Sequence, residues 1–391
     1  MKKRQKKKTG IPRFLAVTAA VMLLPFAVRG IAGGTEKIAR WSGGAAVISA
    51  AATMPDAGIA LLRERFQSEL YEPEQGHTSQ EPAPAAPQTE TPQDEAQADP
   101  FVPPAQSQPQ LQTPGAAAVP PKIPDKYAAA LISENFSGKD NGVLLKYGGG
   151  FIKNDTNQSD AAVAEILETP FGPGFSASGG PQVLIVHTHA TESFERFDTM
   201  VYDTRNTWRS TDNNLNMAAV GAAMERVLTE NGVGVIHDTT QHDYPSYNGS
   251  YERSAETVEA YLEQYPSIKV VLDLHRDAME REDQAIVKPV AMIDGVKTAQ
   301  LMIIAGCDDG SMNMPDWRKN LRFAAAFQDR MEQMYPGLTR PILLCHRKYN
   351  MDLSGGYLLL EFGSNGNTLE EAVYSGQLLG NILVKVLSDL Q

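Results

Sequence analysis

Two histidines and a glutamate stand within six positions in VLIVHTHATES, residues 183–193, directly after four apolar residues. His275 closes a second apolar run, IKVVLDLH, and Glu361 closes a third, YLLLE. Imidazole and carboxylate are the groups that hold Zn2+ in hydrolytic centres, where three protein ligands leave a fourth position for water. The ion lowers the pKa of that water toward about 7 and polarises the scissile carbonyl. A carboxylate outside the coordination shell then takes the proton and passes it to the leaving group. In this reading His189 and His275 are two ligands, either Asp212 or Glu192 is the third, and Glu361 is the general base. His187 is a further candidate imidazole beside His189. Each residue also has an ordinary role: a strand-end histidine is often a satisfied polar group, and Asp212 suits a helix N-cap ahead of NNLNMAAV. What favours a site is that unrelated segments of a chain with only seven histidines converge on one chemistry.

Convergence requires a scaffold. QVLIVH (182–187), VGVIHD, IKVVLDLH (268–275), PILLCH and YLLLEFGS read as buried strands by their apolar continuity and length. Between them, residues 213–232 show helical spacing with Gly232 as a stop. SYERSAETVEAYLEQYP and WRKNLRFAAAFQDRMEQMYPG carry further helices that end at prolines, and a last helix runs from about Thr368 to Asp389. Strands alternating with helices predict an α/β fold, a three-layer head with a mainly parallel sheet flanked by helices. In such a sheet the carboxyl ends of the strands share one edge, where ligands bind. IVKPVAMIDGVKTAQLMIIAG predicts two strands about an Asp294-Gly295 turn, expected to add an antiparallel edge. His237 and His242, beside Asp238 and Asp243, are expected to be solvated loop residues, and His346 to be structural.

The chain has 391 residues and a net charge of −12, but six of its first eight residues are Lys or Arg, so the remainder carries −18. An acidic body gathers no phosphate backbone, which excludes nucleic acid as a partner. The basic residues 1–10 precede an apolar segment, 11–33, that predicts a transmembrane anchor with the rest of the chain outside the cytoplasm; a cleaved signal peptide has the same charge pattern. Residues 34–71 form a juxtamembrane segment. Residues 72–124 are rich in Pro, Gln and Glu and nearly free of large apolar side chains, which predicts a disordered linker. The head is assigned to 125–391. Cys307 and Cys345 make no disulfide framework and lack CxxC spacing; both follow apolar runs that suit buried thiols.

HTHATESF, DLHRDA, KPVAMIDGVKTAQLMIIAG and RKYNMDLSGGYLLLEFGSNGNTLEEA, together with an anchor and a long tether, resemble the stage II sporulation protein P family of peptidoglycan hydrolases. The head is also similar, more distantly, to zinc-dependent N-acetylmuramoyl-L-alanine amidases. Laid on this sequence, the amidase pattern falls on His189, Asp212, His275 and Glu361, with Gly363 and Asn365 after the last. The pattern has Glu where this chain has the shorter Asp212, which keeps Glu192 open as the third ligand. Arg276 and Asn365 are assigned to the substrate. The resemblance implies Zn2+ as cofactor, cleavage of the amide between N-acetylmuramic acid and L-alanine and of stem-peptide crosslinks, and action during engulfment at the sporulation septum. It implies partnership with stage II sporulation proteins D and M. The alternative is a catalytically silent wall-binding scaffold of the same complex. A serine hydrolase is disfavoured, since the head has no GxSxG.

Overall fold

The computed structural model describes residues 119–171 and 180–389. The anchor expected at 11–33 and the juxtamembrane segment lie outside the described residues, and so does the linker apart from its last six residues. Among the described residues, no helix is long and apolar enough to cross a membrane.

The fold is mixed α/β, as expected, with twelve strands and five α-helices among the described residues. Eight strands form one sheet in the order β2 (Leu145–Tyr147), β3 (Gly150–Asp155), β11 (Ile342–Cys345), β10 (Leu301–Gly306), β12 (Tyr357–Ser364), β7 (Val270–Asp277), β4 (Val183–Val186), β6 (Val235–His237). The sheet is two parallel blocks of opposite direction, with β2 antiparallel to β3 at one end. β12, β7, β4 and β6 run one way, β10, β11 and β3 the other, and the blocks meet in the antiparallel pair β10–β12. The carboxyl ends that share an edge are therefore those of β4, β6, β7 and β12. His346, which follows β11, falls at the opposite edge.

The helices are α1 (Asp160–Leu167), α2 (Met217–Glu230), α3 (Ser250–Gln264), α4 (Trp317–Met334) and α5 (Leu369–Asp389). α5 packs against both α2 and α4 while all three contact the sheet, which places them side by side on one face. α3 covers the other face at the site, tied to the 346–356 segment by Asn350, whose Nδ2 donates to Tyr251 O and Ser254 Oγ. All four residues of β4 are fully buried, as the unbroken apolar run demands, and each such side chain contributes about 1.5–3 kcal/mol. α5 starts with a capping box: Thr368 N donates to the Glu371 carboxylate and Glu371 N to Thr368 Oγ1, a pairing that satisfies two helix-end donors.

Three expectations need correction. The Asp294-Gly295 turn exists, with both residues at positive φ, but its strands β8 (Ile286–Ile293) and β9 (Val296–Ala299) do not edge the main sheet. They belong to a second sheet, β5 (Val201–Asp203), β1 (Ala128–Glu134), β8, β9. The run breaks at Gln300, fully buried, whose side chain accepts from Phe136 N and donates to Ser137 Oγ and Gly337 O; there the chain crosses from one sheet to the other. Second, α2 starts at Met217 with Asn216 as its cap, Oδ1 accepting from Ala218 N at 2.9 Å, and not at Asp212. Third, β1 and the β2–β3 hairpin stand ahead of β4, where sequence reading placed no element; LKYGGGF carries the Gly-rich turn that marks the hairpin.

Candidate active site

β4 delivers the chain to the shared edge, and the next six residues are held in place one by one. His187 is fully buried; its Nδ1 lies 3.2 Å from Leu274 O and its Nε2 2.9 Å from His237 Nε2. His237 is in turn 3.2 Å from Glu225 on α2. Burial first, and the neighbouring His237, lower the His187 pKa to about 3, so this imidazole is a neutral packing group. His237 and His242 are buried, contrary to the expectation of solvated loop histidines. His242 bridges His187 O and Thr257 Oγ1, so each has partners inside the fold.

The His187–His237 contact depends on Gly221 of α2. A Cβ there would sit 2.4 Å from His237 Nε2 and 2.8 Å from His187 Nε2. Gly221→Ala is expected to destabilise the head by about 1–3 kcal/mol through overpacking, against the roughly 1 kcal/mol that Ala gains in a helix interior. Urea unfolding measures this, and an unchanged midpoint would show that the two rings can part freely.

Thr188 turns the other way, to Asp273 of β7: its N–H donates to Oδ1 at 2.8 Å and its hydroxyl to Oδ2 at 2.6 Å. The turn that follows, closed by Glu192 N to His189 O, places His189 Nδ1 3.7 Å from Glu192 Oε1. From β7, His275 Nδ1 reaches within 3.6 Å of Glu192 Oε2. Among the described residues, the group of three side chains placed to share a cation is His189, Glu192 and His275, all buried, their donor atoms within 4.8 Å of one another. Two imidazoles and a carboxylate are a donor set that suits Zn2+. The remote imidazole nitrogens are also accounted for: His189 Nε2 lies 3.1 Å from Ser250 Oγ, and His275 Nε2 is in ion-pair contact with Asp273 Oδ1 at 3.0 Å without hydrogen-bond alignment.

The charges fit this arrangement. Burial alone would raise the Glu192 carboxyl, but His189, His275, Arg276 and Arg209 hold it well below the usual range. Burial would likewise lower His275, yet the Asp273 carboxylate, with Glu192, raises it well above the ordinary value. His189 is lowered by burial, against the pull of Glu192.

Glu361 lies on β12 directly beside His275 in the strand register. Burial, and next the nearby Asp277, push its pKa up to about 8, and its Oε2 is enclosed without a hydrogen-bond partner. A half-buried carboxyl with one oxygen enclosed and spare and a pKa near neutrality suits proton transfer.

Asp212, Arg276 and Asn365 stand outside the group of three. Asp212 is exposed, and its carboxylate accepts from the backbone and side-chain amides of Asn214; it stands apart from the group of three. Arg276, expected on the substrate, is buried and turned inward: Nε donates to Ser193 O, Nη2 to Trp208 O and its backbone N–H to Glu192 Oε2. It fixes the 192–193 turn. Asn365 is buried too, its N–H donating to Asp277 O and its Oδ1 accepting from Met279 N. His346 bonds Cys307 O and Asn157 N at the far edge, while Cys307 and Cys345 are buried free thiols.

Sequence reading passed over Arg209, Tyr247, Tyr251 and Asp273. Arg209 donates to Asp243 at 2.8 Å, lies 3.7 Å from Glu192 and sits over the Tyr247 ring. Tyr247 stacks on His189 with centroids 4.6 Å apart, and Tyr251 meets the same ring edge-on. Only Asp273 left a trace in the sequence, as a lone charge inside an apolar strand two positions before a histidine.

A family model described as stage II sporulation protein P matches residues 124–384. The stage II sporulation protein P of Bacillus subtilis (strain 168) is 26% identical over 251 residues, covering 61% of this chain and 57% of that protein, so the match spans little more than half of the relative's length. Among solved structures, the N-acetylmuramoyl-L-alanine amidase AmiC2 of Nostoc punctiforme is 11% identical with a TM-score of 0.32, over 54% of this chain and 97% of its own. The CwlD amidase of Clostridioides difficile, solved with the GerS lipoprotein, is 9% identical with a TM-score of 0.34, over 54% and 100%. Both likenesses are loose. With two thirds of its length matched by a single family model, this chain belongs to the stage II sporulation protein P family.

Proposed function

We propose that the head is a zinc-dependent peptidoglycan hydrolase that cuts the amide between N-acetylmuramic acid and L-alanine, and stem-peptide crosslinks as well. It works outside the cytoplasm from a membrane anchor during engulfment, beside stage II sporulation proteins D and M. The observation that carries the hydrolytic reading is the convergence of His189, Glu192 and His275 next to a half-buried Glu361 whose Oε2 is enclosed without a hydrogen-bond partner; family membership supports the sporulation setting.

His189, Glu192 and His275 would hold the ion. Zinc supplies Lewis-acid polarisation of the scissile carbonyl and a water acidic enough to attack it near neutral pH. Glu361 takes the proton of the attacking water. As the C–N bond breaks, it returns that proton to the departing amine, leaving a carboxylate on one product and an amino group on the other. Its raised pKa suits both halves of this transfer. Ser250 orients His189 from behind, and Arg276 fixes the turn that carries Glu192. Both proposed substrates are amides, so one such constellation serves either.

The test is direct. The full-length chain, loaded with zinc, is incubated with purified sacculi, and the products are read by mass spectrometry. The expected result is free stem peptides with a new L-alanine amino terminus, lost when a strong chelator strips the metal and restored by added zinc. Undiminished cleavage in protein shown by elemental analysis to be metal-free would overturn the metal mechanism.

A further inference from the structure

The Asp273 carboxylate meets four polar groups near the site, and no step of the reaction as written uses it. It is fully buried in the middle of β7. Residues two apart on a strand project to the same side, so Asp273 and His275 face the same way. Oδ1 accepts from Thr188 N–H and touches His275 Nε2 at 3.0 Å; Oδ2 accepts from the Thr188 hydroxyl at 2.6 Å and the Tyr357 hydroxyl at 3.2 Å. One carboxylate thus joins three strands of the parallel block: the end of β4 through Thr188, β7 itself, and the start of β12 through Tyr357. Thr188 is the residue between His187 and His189. Asp273 therefore grips both the imidazole on its own strand and the backbone beside the imidazole on the next.

An isolated carboxylate buried this deeply is costly. Three donated hydrogen bonds and the adjacent imidazole offset that cost, but a hydrophobic pair would fill the space more cheaply. The geometry offers a chemical reason for it. An imidazole whose Nε2 faces a carboxylate keeps its proton there, which leaves Nδ1 with a lone pair, and His275 Nδ1 is the atom that faces Glu192.

Building on the metal reading above, we infer that Asp273 is a positioning residue for cation binding. It fixes His275 with its proton on Nε2 and its lone pair on Nδ1, and through Thr188 it sets the spacing between His275 and His189.

The test uses the full-length chain, with zinc and cobalt(II) ions as probes. Zinc affinity is read by competition with a chromogenic chelator, the ligand field by the visible spectrum of the cobalt form, and folding by the melting temperature of the metal-free chain. Asp273→Asn is expected to bind zinc about 10–100-fold more weakly and to shift the cobalt bands. Wild-type affinity with unshifted bands in this variant would overturn the inference. So would a loss of affinity accompanied by lower metal-free stability and an unshifted spectrum, which is what a packing role predicts. Should Asp273→Asn fail to fold, the double variant Thr188→Val with Tyr357→Phe keeps the charge and removes both hydroxyl donors; zinc binding several-fold weaker supports the inference, and unchanged binding overturns it. A wild-type chain that takes up no metal would sink the metal reading itself, whereas a wild type that binds and an Asp273→Asn that binds equally well would sink only this inference.

Discussion

Glu361→Gln is expected to lower sacculus cleavage by about two to four orders of magnitude, the range over which a positioned general acid–base group acts, while the chain still folds and still takes up zinc. The first half follows from placement: Glu361 neighbours His275 across the β7–β12 register, and its enclosed Oε2 has no partner inside the protein. Gln keeps the shape and removes the proton acceptor. The second half follows from the sign of the pKa shift. A carboxyl raised from 4.5 to about 8 on folding binds more protons folded than unfolded between those values, so the ionised group opposes folding progressively as pH rises through that window. Neutral Gln escapes that opposition, and the metal-free variant should melt no lower than wild type at pH 7–8. The paired measurement is product release from sacculi and thermal melting of the metal-free chain. Turnover within a few-fold of wild type would remove Glu361 from the proton-transfer role, and a large fall in melting temperature would assign it to packing.

Much of the scaffold was legible because buried parallel strands advertise themselves. VLIV, VVLDL and YLLL have no polar alternation, and such runs occur where both faces of a sheet are covered. The helices of residues 317–334 and 369–389 were equally plain from their periodicity and their stops. What escaped was of two kinds. Short, weakly apolar pieces such as β1 acquire their identity from partners far away in sequence, Leu131 pairing with Ile286, and no local pattern encodes that. Strand direction was also invisible: PILLCH and YLLLEFGS look alike, yet they end at opposite edges of the sheet, which sends Glu361 toward His275 and His346 away from it. The buried histidines were misjudged for a related reason. Polar neighbours such as Asp238 and Asp243 suggest exposure, but Asp238 accepts from the Tyr261 hydroxyl and Asp243 from Thr191 and Arg209 inside the fold.

The third ligand is where local spacing and family pattern pointed to different residues, and it sets the other large expectation. His189 and Glu192 are three apart in a single turn, so backbone geometry brings their side chains close, and Arg276 then fixes that turn. Asp212 has no such link; it lies on an exposed stretch ahead of Asn216, with its carboxylate spent on Asn214. Glu192→Gln is therefore expected to leave the purified chain with almost no zinc at micromolar concentration, because a three-ligand shell loses its only anion and the binding free energy with it. Asp212→Asn should retain about one zinc per chain and cleave sacculi at close to the wild-type rate. The control is stability. Glu192 balances His275, Arg276 and Arg209, and breaking a buried pair can cost about 3–5 kcal/mol, so circular dichroism must show each variant folded before its metal is counted. Elemental analysis then decides: a folded Glu192→Gln with full zinc, or a folded Asp212→Asn without it, would return the ligand role to Asp212 and require the 210–216 loop to swing inward on binding the ion.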